Sequence, residues 1–425
     1  MQTGARNPTY TRRDLLRISG TLAAIATAVR AFPAAPSAYG KEAPAPLHLG
    51  MVLPRAAAYP HLGTSILAGM ERYFARSAGR AVTFRTIELA PGTGFIESAV
   101  ERLLAEGPLD FLIGMATPTV AARLHERLAA SGIVFVNATV GANVPRDTEH
   151  SPQVLHSTLA HWQGSWALGR WAAANLGKRS VLAASLHDSG YDAFYAFRLG
   201  FESQGGEILA THVTAQPVRH ADVAALLDSP EGRRADCVYA AYSGEQALDF
   251  VRAYARAAPA TRPPLLGSAF LADEPLLRAL GEEALGVRTV ATWAAALDTP
   301  ANRDFCRDYR AQVGQDPDIL AVLGFDTAHL IDQAASASRA HVVQAAGLAS
   351  GLAARGAIGP RGILSLDTNT GIVASPLYLR EVRITADGIA HVPIATLAGP
   401  RHDDAEIALL RASQKTGWVT PYLCG

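Results

Sequence analysis

The strongest constraint on the fold is a regular alternation of short apolar runs with amphipathic stretches, which begins near residue 47 and continues for most of the chain. The run at 47–53 has the length of a buried strand, and Ile66, Met70 and Phe74 then recur at the spacing that places side chains on one face of a helix. The same order repeats, with strands predicted at 82–89, 111–115 and 133–137 and helices at 96–104 and 120–128. This βαβαβαβ order predicts a parallel sheet with right-handed crossovers.

The rhythm restarts after a polar, turn-rich loop at 141–152. Strands are predicted at 180–186, 207–213, 236–242 and 264–269, with helices at 166–176, 192–203, 221–227 and 246–257. We therefore predict the α/β class, with two doubly wound parallel-sheet lobes joined by a multi-strand hinge.

The last third of the chain indicates further crossings between the lobes. A strand is predicted at 287–293, helices begin after Thr299-Pro300 and near Asp318, and the segment 362–392 has the pattern of short strands. The expected division is a signal and linker at 1–45, a first lobe at 46–160 plus 293–362, a second lobe at 161–292 plus 363–400, and a C-terminal tail at 401–425.

The N-terminal segment 11–38 has the order of an export signal. Arg12 and Arg13 precede a weakly apolar run at 18–29 and then small residues and prolines, which is the order of a secretory signal of the twin-arginine type. The run is shorter than the about 20 apolar residues that span a bilayer. We expect a periplasmic protein exported by the twin-arginine pathway and not inserted in the membrane; an ordinary basic N-terminus is the alternative.

Composition excludes several partners. Lysine plus arginine equals aspartate plus glutamate at 38 each, so no excess positive charge favours nucleic acid or an anionic membrane surface. The three cysteines, Cys237, Cys306 and Cys424, lack the clustering of a zinc site. One disulfide is permitted in the periplasm, with its pairing open, and Cys237 lies in an apolar run typical of a buried thiol.

Motifs for catalysis and cofactors are absent from the sequence, which has no nucleophile elbow, Walker loop, dinucleotide fingerprint or HExxH. We expect no cofactor, no metal and no enzymatic activity. The cluster at 147–150 and the histidine at 125 are interpreted as solvated surface. An enzymatic alternative would direct attention to His187 or Asp188.

Loops that follow parallel strands are the places to look for a binding site, because the carboxyl ends of those strands open into a crevice. After the strand at 111–115, Thr117 is a candidate N-cap and Pro118 a first-turn residue. The backbone N–H groups that follow, with the Thr119 hydroxyl, could hold a carboxylate or carbonyl oxygen. The alternative is that Thr117 only caps its own helix.

Six motifs in order along the chain resemble a known family. They are LHLGMVLP at 47–54, DFLIG at 110–114 with the following Thr/Pro turn, Gln163-Gly164, Ser189-Gly190-Tyr191, GFDTA at 324–328 and GPRG at 359–362. They are similar to landmarks of the type I periplasmic solute-binding proteins of the branched-chain amino acid (Leu/Ile/Val-binding) ABC transporter family. The resemblance implies two lobes that close on a small-molecule solute and deliver it to an ABC permease at the inner membrane; a sensor or accessory subunit with the same fold is the alternative.

The resemblance also implies a set of ligand-binding residues. Those of the first lobe are Ala116, Thr117, Pro118, Thr119, Asn137, Ala138 and Thr139. Those of the second lobe are Tyr191 and Tyr242. Two tryptophans near predicted crossovers, Trp162 and Trp293, are candidates either for the pocket wall or for the core.

One departure from the family concerns the charge of the solute. Amino-acid-binding members usually place an acidic residue where this chain has Ser268-Ala269-Phe270, and a buried ammonium without a counter-charge is strongly disfavoured. We therefore expect a neutral, aromatic or carboxylate solute, with Ser268 and Phe270 at the site. Asp273 could substitute as the acid, although its position before Glu274-Pro275 is typical of an N-cap.

Overall fold

The computed structural model describes residues 45–413 apart from 56–60, 77–79, 90–95, 130, 147–150, 152, 215–216, 259–261, 338–356, 368–369 and 402–403. The predicted export signal, the cluster at 147–150 and Cys424 lie outside the described residues. Of the other cysteines, Cys237 and Cys306 are buried thiols. Among the described helices, none combines the length and apolarity that crossing a membrane requires.

The first sheet contains eight of the described strands, in the order β11-β12-β13-β5-β4-β3-β1-β2. Strands β1 to β5 run parallel to one another, as the βα alternation predicts. The bounds are β1 Leu47–Pro54, β2 Val82–Leu89, β3 Phe111–Gly114, β4 Val134–Thr139, β5 Val154–Thr158, β11 Ala357–Gly359, β12 Gly362–Asp367 and β13 Ile372–Ala374. The helices around this sheet are α1 Leu62–Arg76, α2 Ile96–Ala105, α3 Pro118–Ala129, α9 Pro300–Val313 and α10 Ile319–Ala337.

The second sheet contains seven of the described strands, in the order β15-β14-β10-β9-β8-β6-β7. Strands β6 to β10 are parallel, and the hairpin of β14 and β15 adds to β10 in the antiparallel sense. The bounds are β6 Arg179–Ser185, β7 Glu207–Thr214, β8 Cys237–Ala241, β9 Leu265–Gly267, β10 Arg288–Ala291, β14 Leu377–Thr385 and β15 Gly388–Leu397. The remaining helices are α4 His161–Asn175, α5 Asp192–Glu202, α6 His220–Asp228, α7 Gly244–Ala255, α8 Glu274–Leu280 and α11 Ala405–Ser413. The predicted two-lobe α/β fold is confirmed.

Within the described residues, the chain passes between the sheets three times. It leaves the first sheet between β5 and α4, returns after β10, and leaves again between β13 and β14. The last crossing therefore lies at residues 375–376, and the expectation that residues from 363 onward belong to the second lobe is wrong for β12 and β13. These strands stay in the first sheet because Ile372 pairs with His156 of β5 and Ser365 pairs with Ala374.

The two helix starts predicted at Thr299 and Asp273 are present in the structure. Thr299 caps α9, its Oγ1 accepting from the Asn302 amide, and Asp273 caps α8 by accepting from Leu276. Proline follows both caps within the first turn, where its missing N–H costs nothing. Strand β5 was not predicted, because VLHST has no clear alternation although all five residues are buried.

In each lobe, two helices pack with their backbones in close contact at glycine residues. In the first lobe Gly69 of α1 faces α10 and Gly324 of α10 faces α1; in the second lobe Gly169 of α4 and Gly200 of α5 face each other's helix in the same way. A Cβ atom at any of the four positions would overlap with backbone atoms of the opposite helix. Only glycine therefore permits these helix axes to approach so closely.

Candidate functional site

Two small chambers lie side by side where residues of the two lobes meet. The first is lined by Ala116, Pro118, Asn137, Thr139, Val140, Gly141, Ala142, Asn143, Pro145, His156, Thr158, Trp162, Gln163, Tyr191 and Ile372. The second is lined by Leu62, Val140, Ala142, His161, Asp188, Tyr191, Ser243, Phe270 and Leu320. Each has a volume of about 30 Å³, which is room for about two water molecules. Val140, Ala142 and Tyr191 line both chambers and form the partition between them.

Asn137 fixes the loop that follows β3. Its side-chain Oδ1 accepts from the Ala116 amide at 2.9 Å, and its Nδ2 donates to the Ala116 carbonyl at 3.0 Å. The Asn137 side chain thus bonds both the backbone N–H and the backbone carbonyl of Ala116, as a neighbouring strand would. These two bonds hold Ala116 at the wall of the first chamber. Thr117 caps α3 by accepting from the Val120 amide at 3.2 Å, which agrees with the alternative in which it serves its own helix.

The start of α4 delivers three side chains to the site. The Thr158 hydroxyl accepts from the Ala160 amide at 3.2 Å, and Ala160 then adopts a left-handed conformation with φ 51°. That conformation is uncommon for a residue with a Cβ, and it is the only positive φ among the described residues other than glycine. The sharp turn brings His161, Trp162 and Gln163 against the chambers directly after the first crossing.

Three buried polar atoms at the chambers have no hydrogen-bond partner among the described residues. They are Asn143 Oδ1 and Gln163 Oε1 at the first chamber and His161 Nδ1 at the second. Burial lowers the pKa of His161 to about 4, so its ring is neutral near pH 7. Unsatisfied buried polar groups are rare in proteins, and these three are available to a bound solute.

Asp188 supplies a carboxylate to the second chamber. The Ser185 hydroxyl donates to Oδ2 at 2.6 Å, and the Ser243 hydroxyl lies 3.1 Å from Oδ1 and 3.2 Å from Oδ2. Burial raises the pKa of Asp188 from 3.8 to about 6, against the opposing effect of both serines. Among the described residues that line this chamber there is no lysine or arginine.

Arg380 holds two strand ends behind the second chamber. Its guanidinium donates to the carbonyl of Ala269 at 3.1 Å and of Trp293 at 2.9 Å, and it is paired with Glu274 at 3.2 Å. The loop after β9 is thereby fixed, and it places Phe270 in the wall of the chamber with its ring centroid 5.3 Å from that of His161. Phe270, which was predicted at the site, thus lines the second chamber.

Tyr242 does not reach the chambers. Side chains alternate along β8, so that Tyr239 packs against α4 and α5 of the second lobe while Tyr242, one step beyond the strand, faces the other side of the sheet. There it stacks on Phe250 with centroids 4.4 Å apart and its hydroxyl accepts from Thr214. Its prediction as a pocket wall is corrected to a core position.

Trp293 also belongs to the core. Its side chain is fully buried and Nε1 donates to Asn302 Oδ1 at 2.6 Å, which ties the end of β10 to α9. Ala138 and Ser268 are buried away from both chambers, and Thr119 is exposed on α3. The chambers thus bring together Ala116, Pro118, Asn137, Thr139, Trp162, Tyr191 and Phe270 of the predicted set.

Fourteen of the 21 described lining residues were not predicted as ligand-binding, among them Asn143, His161, Asp188 and Ser243. Asn143 and His161 flank the strand β5 that the sequence pattern did not reveal, and Asp188 and Ser243 follow β6 and β8. The rule that strand carboxyl ends form the crevice points to the last two. A third cavity of about 540 Å³ adjoins the first chamber at Trp162 and Gln163 on the side of the crossovers. No group of three metal-binding side chains occurs in the part of the chain that is described.

Known proteins agree with the fold and the motifs. An ABC transporter substrate-binding protein from Sphaerobacter thermophilus has a TM-score of 0.73 at 21% identity over 83% of this chain and 98% of that chain. An ABC transporter solute-binding protein from R. palustris, solved in complex with benzoate, has a TM-score of 0.68 at 26% identity over 85% and 98%. Leu/Ile/Val-binding protein homolog 6 of Brucella melitensis is 26% identical over 80% of this chain and 88% of its own length. The periplasmic binding protein family itself matches residues 46–388, so the resemblance inferred from the motifs is confirmed and the chain belongs to the periplasmic binding protein family.

Proposed function

We propose that this chain is the solute-binding subunit of an ABC importer, which captures a small organic solute by lobe closure and delivers it to a permease of the inner membrane. The observation that carries the proposal is the pair of chambers lined by side chains of both lobes. A solute held there contacts both lobes at once, so its binding energy favours the closed arrangement. Family membership implies a periplasmic location and a role in binding.

Opening and closing accompany binding in this proposal. The chambers are narrow and lie between residues of both lobes, so in this proposal the lobes separate for entry and Tyr191 shifts to join the two chambers. Hydrogen bonds already cross between the lobes, since the Ala193 amide of α5 donates to the Ala142 carbonyl at 2.9 Å. Such contacts contribute to the free energy of lobe closure in the absence of solute, and a bound solute contributes a further favourable term.

The solute that this site favours is neutral, aromatic or a carboxylate, and not a standard α-amino acid. Phe270 in the wall supports this, because its ring gives the second chamber apolar surface. Trp162 and Tyr191 supply further aromatic surface, and the amides of Asn143 and Gln163 supply unpaired hydrogen-bonding groups. The benzoate bound by the R. palustris relative is a solute of this kind.

Export is proposed to use the twin-arginine pathway, on the basis of Arg12, Arg13 and the apolar run that follows them. Replacing both arginines with lysine in cells should retain the protein in the cytoplasm if this route is used. Delivery that continues unchanged would exclude it.

Binding is tested by thermal unfolding of the purified protein against benzoates, aliphatic carboxylates, amides and amino acids. A solute at 100 times its Kd stabilises the folded state by about 2.7 kcal/mol, which raises the unfolding midpoint. Tyr191→Ala should remove the response, whereas Tyr242→Phe, outside the chambers, should keep it. A wild-type protein that responds to no member of the panel contradicts the proposal.

A further inference from the structure

The setting of Asp188 is unusual for a carboxylate that serves only the fold. Ser185 at the end of β6 and Ser243 after β8 both turn their hydroxyl groups toward it, and the Asp188 amide donates in turn to Ser185 Oγ at 2.9 Å. Two loops that are 55 residues apart in the sequence thus converge on one side chain. The convergence fixes the carboxylate at the wall of the second chamber.

Ser243 forgoes a local hydrogen bond in order to reach Asp188. It stands at the N-cap position of α7, where serine is among the preferred residues because its oxygen accepts from the first turn. Here the Ser243 side chain makes no capping hydrogen bond with its own helix. The Ser243 hydroxyl therefore orients the Asp188 carboxylate, and the stabilising cap that it could give α7 is not formed.

The remainder of the second chamber, among its described residues, adds no cationic side chain to the hydrogen bonds that Asp188 receives from the Ser185 hydroxyl and from the hydroxyl and backbone of Ser243. Leu62, Phe270 and Leu320 supply apolar surface, and His161 on the opposite side is neutral near pH 7. The ionisable neighbour on its own loop is His187, which is partly exposed and does not line the chamber. A carboxylate in apolar surroundings gains most from a hydrogen-bond donor that arrives with a ligand.

We propose that Asp188 is a specificity-determining residue, which accepts a hydrogen bond from a donor group, a hydroxyl or an ammonium, on the end of the solute that enters the second chamber. This inference rests on the proposed function and refines it, because it requires a solute with a polar donor at one end and its other polar group in the first chamber. Benzoate, which lacks such a donor, is then a poorer ligand than a ring that carries one.

Binding of three matched compounds to the full-length mature protein tests the inference. Benzoate, 4-hydroxybenzoate and 4-(aminomethyl)benzoate share a ring and a carboxylate and differ in the donor. Wild-type protein should bind at least one donor-bearing compound about tenfold or more tightly than benzoate, as expected for a hydrogen bond to a charged group. Whichever compound gains affinity identifies the donor as a hydroxyl or an ammonium.

Asp188→Asn should abolish that preference while benzoate affinity changes less than threefold, because asparagine keeps the shape and offers an amide in place of a full charge. Asp228→Asn, an exposed carboxylate at the end of α6, is the matched control and should retain the wild-type preference. A preference that survives in Asp188→Asn, or a wild-type protein that binds benzoate as tightly as both donor-bearing compounds, overturns the inference. Failure of wild-type protein to bind any compound of this panel or the broader one overturns the proposed function, and the inference with it.

Discussion

The carboxylate of Asp192, at the start of α5 in the second lobe, accepts a hydrogen bond of 2.9 Å from the backbone amide of Val144, which lies in the first lobe between β4 and β5. Asp192 is fully buried, and it lines neither chamber. With the adjacent bond from Ala193 to Ala142, it joins the lobes beside the partition between the chambers. Under the proposed function, this contact stabilises the closed arrangement without contacting the solute.

Asp192→Ala should therefore weaken binding of every solute by the same factor. Loss of a buried hydrogen bond to a charged acceptor costs about 1–3 kcal/mol, so we expect a rise in Kd of about five- to 150-fold, measured by calorimetric titration. Asp188→Asn is the contrasting variant, since its effect should differ between solutes. An effect of Asp192→Ala that is confined to solutes of one chemical type would contradict the assignment of Asp192 as a contact between the lobes.

Stability should depend on pH through Asp188. Its pKa is raised from 3.8 to about 6 by burial, so the folded protein binds this proton more tightly than the unfolded chain does. The free energy of unfolding should then fall as the pH rises from about 4 to about 6, by at most about 3 kcal/mol. Above pH 6 this cost is fully present.

Asp188→Asn removes the cost. We expect the variant to be more stable than the wild type at pH 7 and to approach it near pH 4, in urea unfolding at several pH values without solute. His161 has a pKa of about 4 and is common to both proteins, so the difference between them isolates Asp188. A variant that is less stable at pH 7 would contradict the assignment.

Two tyrosines at the carboxyl ends of strands should behave differently. Tyr191→Phe changes a chamber wall and should alter solute affinity, whereas Tyr242→Phe removes only the hydrogen bond from Thr214. The second change should lower the free energy of unfolding by about 1 kcal/mol and leave Kd unchanged. Titration with solute and denaturant unfolding of both variants measure these effects. An altered Kd in Tyr242→Phe would contradict the assignment of Tyr242 to the core.

A buried ion pair stabilises the region of the first crossing. Arg361 and Asp326 lie 2.6 Å apart with neither side chain exposed, and Arg361 also donates to the Thr158 carbonyl at the end of β5 at 2.7 Å. Asp326→Ala leaves a buried cation unpaired and should cost about 3–5 kcal/mol. Arg198→Ala, which breaks an exposed pair with Glu202, should cost less than about 1 kcal/mol in the same urea unfolding experiment.

The double variant Asp326→Leu with Arg361→Met sharpens that test. Removing both charges eliminates the unpaired group, so the double variant should be more stable than Asp326→Ala alone. Equal losses in the single and double variants would indicate that the cost arises from packing and not from charge.

The sequence predicted the two-lobe fold because each strand and helix carries its own periodicity, and the parallel sheet follows from their order. It failed at β5 because VLHST is buried on both faces and shows no alternation. It also failed at the last crossing, because the short strands β12 and β13 carry no local sign of which sheet they join. That choice depends on the pairing of Ile372 with His156.

At the site, positions were predicted better than roles. The loops after β3 and β4 do line the first chamber. However, the side-chain amide of Asn137 is hydrogen-bonded to Ala116, and the Thr117 hydroxyl caps α3. Tyr242 fails because one residue along a strand reverses the face on which a side chain lies. The hydrogen bond between Ser243 and Asp188 joins two loops that are distant in the sequence, and such a pairing is not visible in a linear pattern.

The glycine contacts between α1 and α10 and between α4 and α5 have a mechanical consequence. Helices in such close backbone contact cannot slide past each other without collision, so each lobe resists deformation at its helix pair. Under the proposed function, the opening motion would then be concentrated in the three described connections between the lobes.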